Sequence, residues 1–143
     1  MKKIFLFIVI CACIFSSCKK KDDDKNCALT EANLTGSYKI TSVTYKASAS
    51  SPEQDYSDQF FDEPCQKDDI LTIKSDHTYT YSDAGTVCSP SNDDAGDWSL
   101  SGNILSIDGD PAALENFNCS GFAAVGSDAI ITGDKLSINF TKQ

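Results

Sequence analysis

Short segments in which polar and apolar residues alternate recur after residue 34, and they constrain the fold of this chain most. The clearest segment spans 135–141, where Leu136, Ile138 and Phe140 fall on one face of a strand. Alternation with a period of two is typical of half-buried strands in antiparallel sheets. The same pattern recurs at Leu71 and Ile73, Tyr79 and Tyr81, Trp98 and Leu100, and Leu105 and Ile107. The sequence therefore predicts an all-β domain built as an antiparallel β-meander.

The first strand of this meander changes face part-way along its length. Tyr38 and Ile40 fall on one face, whereas Val43 and Tyr45 fall on the other. A β-bulge between the two pairs would explain this change, as strands of barrels often need. A short strand is also expected at 129–132. Helical turns are expected only at residues 28–34 and 111–117.

The connections between the predicted strands differ in length. Tight hairpin turns are expected at 75–76, 101–102 and 133–134, and long loops at 46–68, 83–95 and 109–128. In an up-and-down order of strands, all the tight turns fall at one end and all the long loops at the other. We expect function at the end with the long loops, because loops on a rigid scaffold commonly carry binding residues.

The first 24 residues indicate export and a membrane tether. Lys2 and Lys3 precede an apolar run of 12 residues, which is shorter than the roughly 20 that a membrane-spanning helix needs. The segment Phe15–Cys18 then resembles the lipobox of bacterial lipoproteins, and this resemblance implies acylation of Cys18. Cys13 is the alternative acceptor. We predict a signal peptide at 1–17, a lipidated linker at 18–26 and a folded domain at 27–143.

The composition of the expected mature chain excludes some classes of partner. It has 126 residues, with 10 lysines, no arginine and 21 acidic residues, which is a net charge of −11. A nucleic-acid partner is not expected, because binding phosphates needs clustered basic residues. The run Asp22–Asp24 resembles surface-export signals of some Gram-negative lipoproteins. We expect an outer-membrane lipoprotein held by its N-terminal lipid and exposed on the cell surface, with the periplasmic face as the alternative.

Four cysteines remain in the mature chain after Cys18. An even number in an exported chain predicts two disulfides, with three possible connectivities. Cys65 and Cys88 flank the hairpin at 70–82 on its open side, so they are the expected pair. Cys27 then pairs with Cys119. This second pair requires that 111–117 cross the barrel and that 122–125 return as a further strand.

An ordered set of motifs resembles the lipocalin-like lipoproteins of Gram-negative bacteria. The resemblance covers about residues 30–141, with Tyr38 in place of the tryptophan usual in such domains. It implies a small lipocalin-like barrel of about seven to eight strands that works as a binding module. The motifs are Leu34–Tyr38, Cys65–Ile73, Ser75–Tyr79, Cys88, Gly96–Leu100 and Asn103–Ile107.

Two functions are compatible with such a barrel. The first is a binding module for one small apolar ligand, since an eight-stranded barrel has room for one. The residues expected to line its site are Tyr38, Tyr79, Tyr81, Trp98, Leu105 and Phe140. The alternative is a structural or interaction protein with a filled barrel, which docks an envelope protein through its long loops. The residues expected to form that contact are Tyr56, Phe60 and Phe61.

No enzymatic activity, cofactor or metal is expected. The sequence contains no nucleophile–base motif and no phosphate loop. The only histidine, His77, lies in a predicted tight turn, where a solvated residue is the simplest interpretation. Acidic residues cluster at 68–69, 93–97 and 108–110, but their spacing does not match a calcium-binding loop, so solvated loops are expected there.

Overall fold

Nine strands form a single antiparallel sheet in the computed structural model, which describes residues 27–143. The strands are β1 (Gly36–Lys46), β2 (Gln54–Asp55), β3 (Ile70–Ile73), β4 (Thr78–Ser82), β5 (Asp94–Ser101), β6 (Ile104–Ile107), β7 (Asp110–Glu115), β8 (Gly121–Ser127) and β9 (Lys135–Lys142). Their order is β2-β1-β3-β4-β5-β6-β7-β8-β9, and β1 also pairs with β9. β1 and β3–β9 therefore close an eight-stranded barrel, which confirms the predicted β-meander and its closure.

The predicted bulge in β1 is present. The register between β1 and β9 shifts between Ile40, which pairs with Phe140, and Ser42, which pairs with Asn139. The shift leaves Thr41 outside the regular ladder. Because of this extra residue, the apolar residues of both halves of β1 lie on the inner face, and Val43 pairs with Ile138.

Three short helical segments lie in the connections: α1 (Glu31–Leu34), α2 (Ser57–Phe60) and a 3₁₀ helix (Pro64–Asp68). α1 falls within the helical turn predicted at 28–34. The side chain of its N-cap, Thr30, accepts a hydrogen bond of 3.2 Å from the backbone N–H of Asn33. Leu34 is completely buried, so α1 packs against the barrel. Within residues 27–143, no helix is long and apolar enough to span a membrane.

The predicted helical turn at 111–117 is wrong, since Asp110–Glu115 form strand β7. Alanine, leucine and glutamate favour helices locally, but here both neighbours of the segment are strands. β7 pairs with β6 on one side and β8 on the other, and Leu114 is buried in the core. Tertiary pairing therefore overrides the local preference.

The predicted strand at 129–132 is also wrong, because these residues belong to the β8–β9 connection. The carboxylate of Asp134 accepts hydrogen bonds from the backbone N–H groups of Ala129, Ile130 and Ile131, at 2.7, 2.9 and 2.8 Å. Those N–H groups are therefore not available to a strand ladder. The strand before β9 is instead β8 (Gly121–Ser127), which contains the residues 122–125 that the Cys27–Cys119 pairing required to return as a further strand.

Because residues 110–115 form a strand and residues 129–132 do not, the connections are distributed between the two ends of the barrel differently from the prediction. The loop end carries the connections 47–69, 83–93, 108–109 and 128–134, and the helix end carries α1 with the connections 74–77, 102–103 and 116–120. The turn at 133–134 thus lies at the loop end, not with the other tight turns. The two longest connections still share one end, as predicted.

The barrel interior is filled by one hydrophobic cluster. Its buried members are Leu34, Tyr38, Leu71, Ile73, Tyr79, Trp98, Leu105, Leu114, Phe122 and Ala124. They come from α1 and from β1 and β3–β8, so burial of this cluster joins most strands of the barrel. Tyr38 meets Phe122 edge-on at 5.0 Å between ring centroids, which links the first strand to the eighth.

Candidate functional site

Three of the residues predicted to line a ligand site use their polar atoms to hold the fold. The Tyr38 hydroxyl donates to the Leu34 carbonyl at 2.6 Å, and Trp98 Nε1 donates to the Lys74 carbonyl at 2.8 Å. The Tyr79 hydroxyl is within 2.9 Å of carboxylate oxygens of Asp94 and Asp108. Burial also raises the pKa of Tyr38 to about 12. These three side chains act as structural parts of a filled barrel.

The other three predicted residues also face the barrel interior. Leu105 is buried in the central cluster, and Phe140 and Tyr81 are partly buried against it. Phe140 stacks on Phe122, with 5.0 Å between ring centroids. The structure therefore brings all six predicted residues together on the inner face, where they pack against one another.

The Tyr79 hydroxyl joins two acidic residues at the loop end. Asp108, at a left-handed φ of 49°, turns its carboxylate over Gly96, where any Cβ would collide with it. This carboxylate also accepts a hydrogen bond of 2.9 Å from the backbone N–H of Asp97. The Tyr79 hydrogen bond, followed by that from Asp97, lowers the pKa of Asp108. Burial, followed by hydrogen bonding to Asp108 and Asp94, raises the pKa of Tyr79.

This network was missed when the acidic residues were assigned to solvated loops. The signal that could have found it is Gly96 inside a strand, two residues before Trp98. A glycine within a strand often marks a close approach by another group, and here that group is the Asp108 carboxylate. One end of the barrel interior is therefore polar and anionic.

Asp69 and Tyr81 form a second polar pair near the loop end. Asp69 is 3% exposed, and strand alternation places it on the same face as Leu71 and Ile73. Its carboxylate accepts a hydrogen bond of 3.3 Å from the backbone N–H of Ala84. Burial is the main cause that raises the pKa of Asp69. Burial, and then the charge of Asp69, raise the pKa of Tyr81 to about 12.

The first long connection packs along β1. The backbone N–H of Tyr56 donates to the Val43 carbonyl at 2.8 Å, and the Ser57 hydroxyl accepts from the Val43 N–H at 3.1 Å. Phe61 is 9% exposed and meets Phe60 edge-on at 5.2 Å, whereas Phe60 and Tyr56 are partly buried. Phe61 is thus a packing residue, and Phe60 and Tyr56 keep part of their surface in solvent.

Both predicted disulfides are present in the structure. Cys65–Cys88 joins the 3₁₀ helix to the connection 83–93 at the loop end. Cys27–Cys119 joins the segment before α1 to the connection 116–120 at the helix end. β7 and β8 bring Cys119 back to that end, as this pairing required. Cys18, the predicted lipid acceptor, lies outside the described residues.

Comparison with known proteins identifies the family. The model of the lipocalin-like domain family matches residues 34–138. This chain belongs to the lipocalin-like domain family. None of the curated proteins matches it, and no solved structure matches it. The lipocalin-like match begins at Leu34, the last residue of α1, and ends within β9, so it covers β1 to β8 and the first half of β9.

This lipocalin-like barrel presents a rigid apolar loop at its loop end. Ile130 and Ile131 are 52% and 53% exposed, although both are large and apolar. Their backbone N–H groups are held by Asp134, which is itself 3% exposed, and the Asp128 carboxylate accepts from the Gly133 N–H at 2.6 Å. The loop therefore keeps two isoleucines in solvent in a defined conformation. In the sequence, this loop is an apolar pair that lies between Asp128 and Asp134. Alternation alone predicted a strand there.

Three cavities of the lipocalin-like domain lie on the outer face of the barrel. The first, of about 330 Å³, lies across β8 and β9 and includes Asn118 and Asn139. The second, of about 490 Å³, includes Asp97 and Ser106, and the third, of about 430 Å³, includes Thr80. The strand residues among these, Asp97, Ser106, Thr80 and Asn139, point away from the inner face by strand alternation. The linings also include aromatic residues of the inner face: Phe122 and Phe140 in the first cavity, Trp98 in the second and Tyr81 in the third.

The family indicates a binding fold for the described residues. Lipocalin-like barrels are generally non-catalytic binding folds. His77 stacks on Trp98 at 5.2 Å and lies 3.7 Å from a Glu31 carboxylate oxygen, at the helix end. Across residues 27–143, no three or more His, Cys, Asp or Glu side chains are arranged to hold a metal ion.

Proposed function

We propose that this lipocalin-like domain is a lipid-tethered, non-catalytic binding module of the bacterial envelope, which docks an envelope protein through its loop end. The observation that carries this proposal is the filled interior. Tyr38, Tyr79 and Trp98 are each less than 5% exposed and are hydrogen-bonded within the domain. A small apolar ligand would have to displace them, whereas a protein partner would leave them in place.

The exposed residues of the loop end supply the features of a contact surface. Ile130 and Ile131 project from one connection, and Val87, 65% exposed, projects from another. Apolar side chains held in solvent are typical of protein-binding surfaces. Because Asp134 fixes the loop that carries the isoleucines, little conformational entropy is lost when they are buried against a partner.

The charges of the loop end indicate the chemistry of the partner. Its exposed carboxylates belong to Glu53, Asp55, Asp58, Asp62, Glu63, Asp93, Asp94, Asp108, Asp110 and Asp128. Of the lysines at this end, Lys67 and Lys135 are paired with Asp58 and Glu115. We therefore infer a partner that offers basic residues around an apolar contact, with an association rate that falls as salt rises.

The position of the chain entrance supports this orientation. Cys27–Cys119 fixes the start of the described domain at the helix end. The predicted lipid acceptor, Cys18, precedes Cys27 by only nine residues. A short tether at the helix end would turn the loop end away from the membrane, toward partners in the surrounding compartment.

Site-specific photocrosslinking in the native cells tests the docking surface. A photoreactive phenylalanine at Ile130 should capture a defined protein, and the yield should fall at high salt. The control position is Ile104, which is also apolar and 37% exposed but begins β6 at the helix end. Capture at Ile104 alone, or a small ligand retained in native mass spectrometry with no crosslinked partner, would contradict the docking function.

Fractionation tests the tether and the localisation. We expect Cys18→Ser to release the protein from the membrane fraction or to block its processing. We also propose display on the outer surface, directed by Asp22–Asp24. Changing these three aspartates to alanine should leave the protein lipidated and folded but protected from protease added to whole cells. Protection of the unaltered protein would instead place the domain on the periplasmic face.

A further inference from the structure

A polar groove lies at the helix end, far from the proposed docking surface. It forms the cavity of about 330 Å³ across the outer face of β8 and β9, beside the connection 116–120. Pockets that bind small molecules usually begin near this volume. Its polar side chains belong to Thr41, Asn116, Asn118, Ser120, Asn139 and Thr141.

The groove is uncharged although the protein around it is strongly acidic. None of its lining residues carries a charge, whereas 33 of the 143 residues of the chain are charged. A charged ligand would lose hydration on entering the groove without meeting an opposite charge. The groove therefore favours a neutral ligand that forms hydrogen bonds.

The side chains of the groove keep unused hydrogen-bonding groups in fixed positions. Asn118 uses its Oδ1 to accept from the Ser120 N–H at 3.0 Å, which leaves its Nδ2 as a donor. Asn139 donates through Nδ2 to the Ser42 hydroxyl at 3.1 Å, which leaves its Oδ1 as an acceptor. Within residues 27–143, the Asn116 side chain forms no hydrogen bond. Donors and acceptors thus lie side by side.

The backbone beneath these groups is held from several directions. Asn116 and Cys119 have left-handed φ values of 57° and 62°, and Cys119 is tied to Cys27 by a disulfide. The Asn118 N–H donates to the Gly121 carbonyl at 3.1 Å, and the Lys142 N–H donates to the Ser120 carbonyl at 2.8 Å. Left-handed residues held in this way are common at ligand sites. The groove is thus organised before any ligand arrives.

We propose that this groove binds a short neutral oligosaccharide. Each sugar hydroxyl can donate and accept a hydrogen bond at once, which matches the mixed amide and hydroxyl groups of the groove. The lining also includes the small residues Gly121 and Ala123. The proposal is independent of the docking function, because the groove and the loop end lie at opposite ends of the barrel.

Titration of the full lipidated protein in detergent tests the proposal. Chitotetraose, maltotetraose and mannotetraose are titrated separately by calorimetry and by saturation-transfer NMR. We expect saturable binding of at least one of the three tetraoses and no binding of inorganic phosphate. Failure of all three tetraoses to bind would overturn the proposal, as would phosphate binding that displaces them.

Two variants locate the binding. Asn116→Gly removes the amide but keeps the left-handed φ that glycine tolerates, and Thr141→Val removes a hydroxyl without changing shape. Each substitution should weaken the affinity for the tetraose that binds by tenfold or more. The matched control, Asn103→Gly, lies in an exposed turn at the same end and should leave affinity unchanged. Equal affinity in all three variants would overturn the proposed site.

Discussion

Removal of the Cys27–Cys119 disulfide should destabilise the barrel more than removal of Cys65–Cys88. The first pair is separated by 92 residues and encloses β1 to β7, whereas the second is separated by 23 residues and encloses one hairpin. A disulfide stabilises a protein mainly by restricting its unfolded chain, and the restriction grows with the length of the loop that it closes. The two bonds therefore differ in their expected effect on the free energy of unfolding.

The chain-entropy relation gives the size of this difference. For separations of 92 and 23 residues it yields about 4.6 and about 3.4 kcal/mol at 25 °C. We therefore expect the Cys27→Ala, Cys119→Ala variant to be less stable than the Cys65→Ala, Cys88→Ala variant by about 1 kcal/mol. Its denaturant m-value should also rise more, because its unfolded chain gains more freedom to expand.

Urea unfolding at pH 7, followed by Trp98 fluorescence, measures both quantities. Trp98 suits this assay because it is 3% exposed in the folded barrel. The protein with both disulfides is the reference. A greater loss of stability in the Cys65→Ala, Cys88→Ala variant would refute the reasoning. It would show that anchoring of the first long connection outweighs restriction of the unfolded chain.

Four further predictions concern the polar groups of the loop end. Tyr79→Phe should lower the free energy of unfolding by about 1–3 kcal/mol in urea titrations, because it removes the hydroxyl that bonds to the charged carboxylates of Asp94 and Asp108. Asp108 has a lowered pKa, so its contribution to stability should be complete above its ordinary pKa of 3.8 and lost as the pH falls through its lower folded pKa. In acid titrations, the Asp108→Asn variant should not show this loss of stability. Asp69 has a raised pKa, so its ionisation opposes folding. The stability of Asp69→Asn relative to the unaltered protein should therefore rise between pH 4 and pH 7. Asp134→Ala should speed amide exchange at Ile130 while leaving exchange in β9 unchanged, and equal protection in both proteins would contradict its proposed role.

Local pattern was sufficient to predict much of the barrel. Alternation identified most of the strands, since a strand with one buried face must place apolar residues at every second position. The change of face in β1 predicted the bulge at Thr41, because the two apolar pairs could share the interior only if one extra residue was inserted. The order of the strands then placed Cys65 and Cys88 at the same end of a hairpin.

Where local pattern failed, a distant partner determined the structure. Residues 110–115 have a helical preference, but β6 and β8 on either side make them a strand. Residues 129–132 have the composition of a strand, but the Asp134 carboxylate takes three of their N–H groups and holds them as a loop. Both outcomes depend on hydrogen bonds that alternation does not encode.

The sequence by itself determined the antiparallel β-meander, the inward positions of the strands that alternation identified and the pairing of Cys65 with Cys88. These properties follow from the period of the strands and from their order along the chain. Only the tertiary structure decided what the inward residues do. Tyr38, Tyr79 and Trp98 would suit a pocket or a core equally well, and they form a core because Leu34, Asp108 and Lys74 come within hydrogen-bonding distance of them. The closure of the barrel brings those groups together, and it leaves the outer groove and the loop end exposed to solvent.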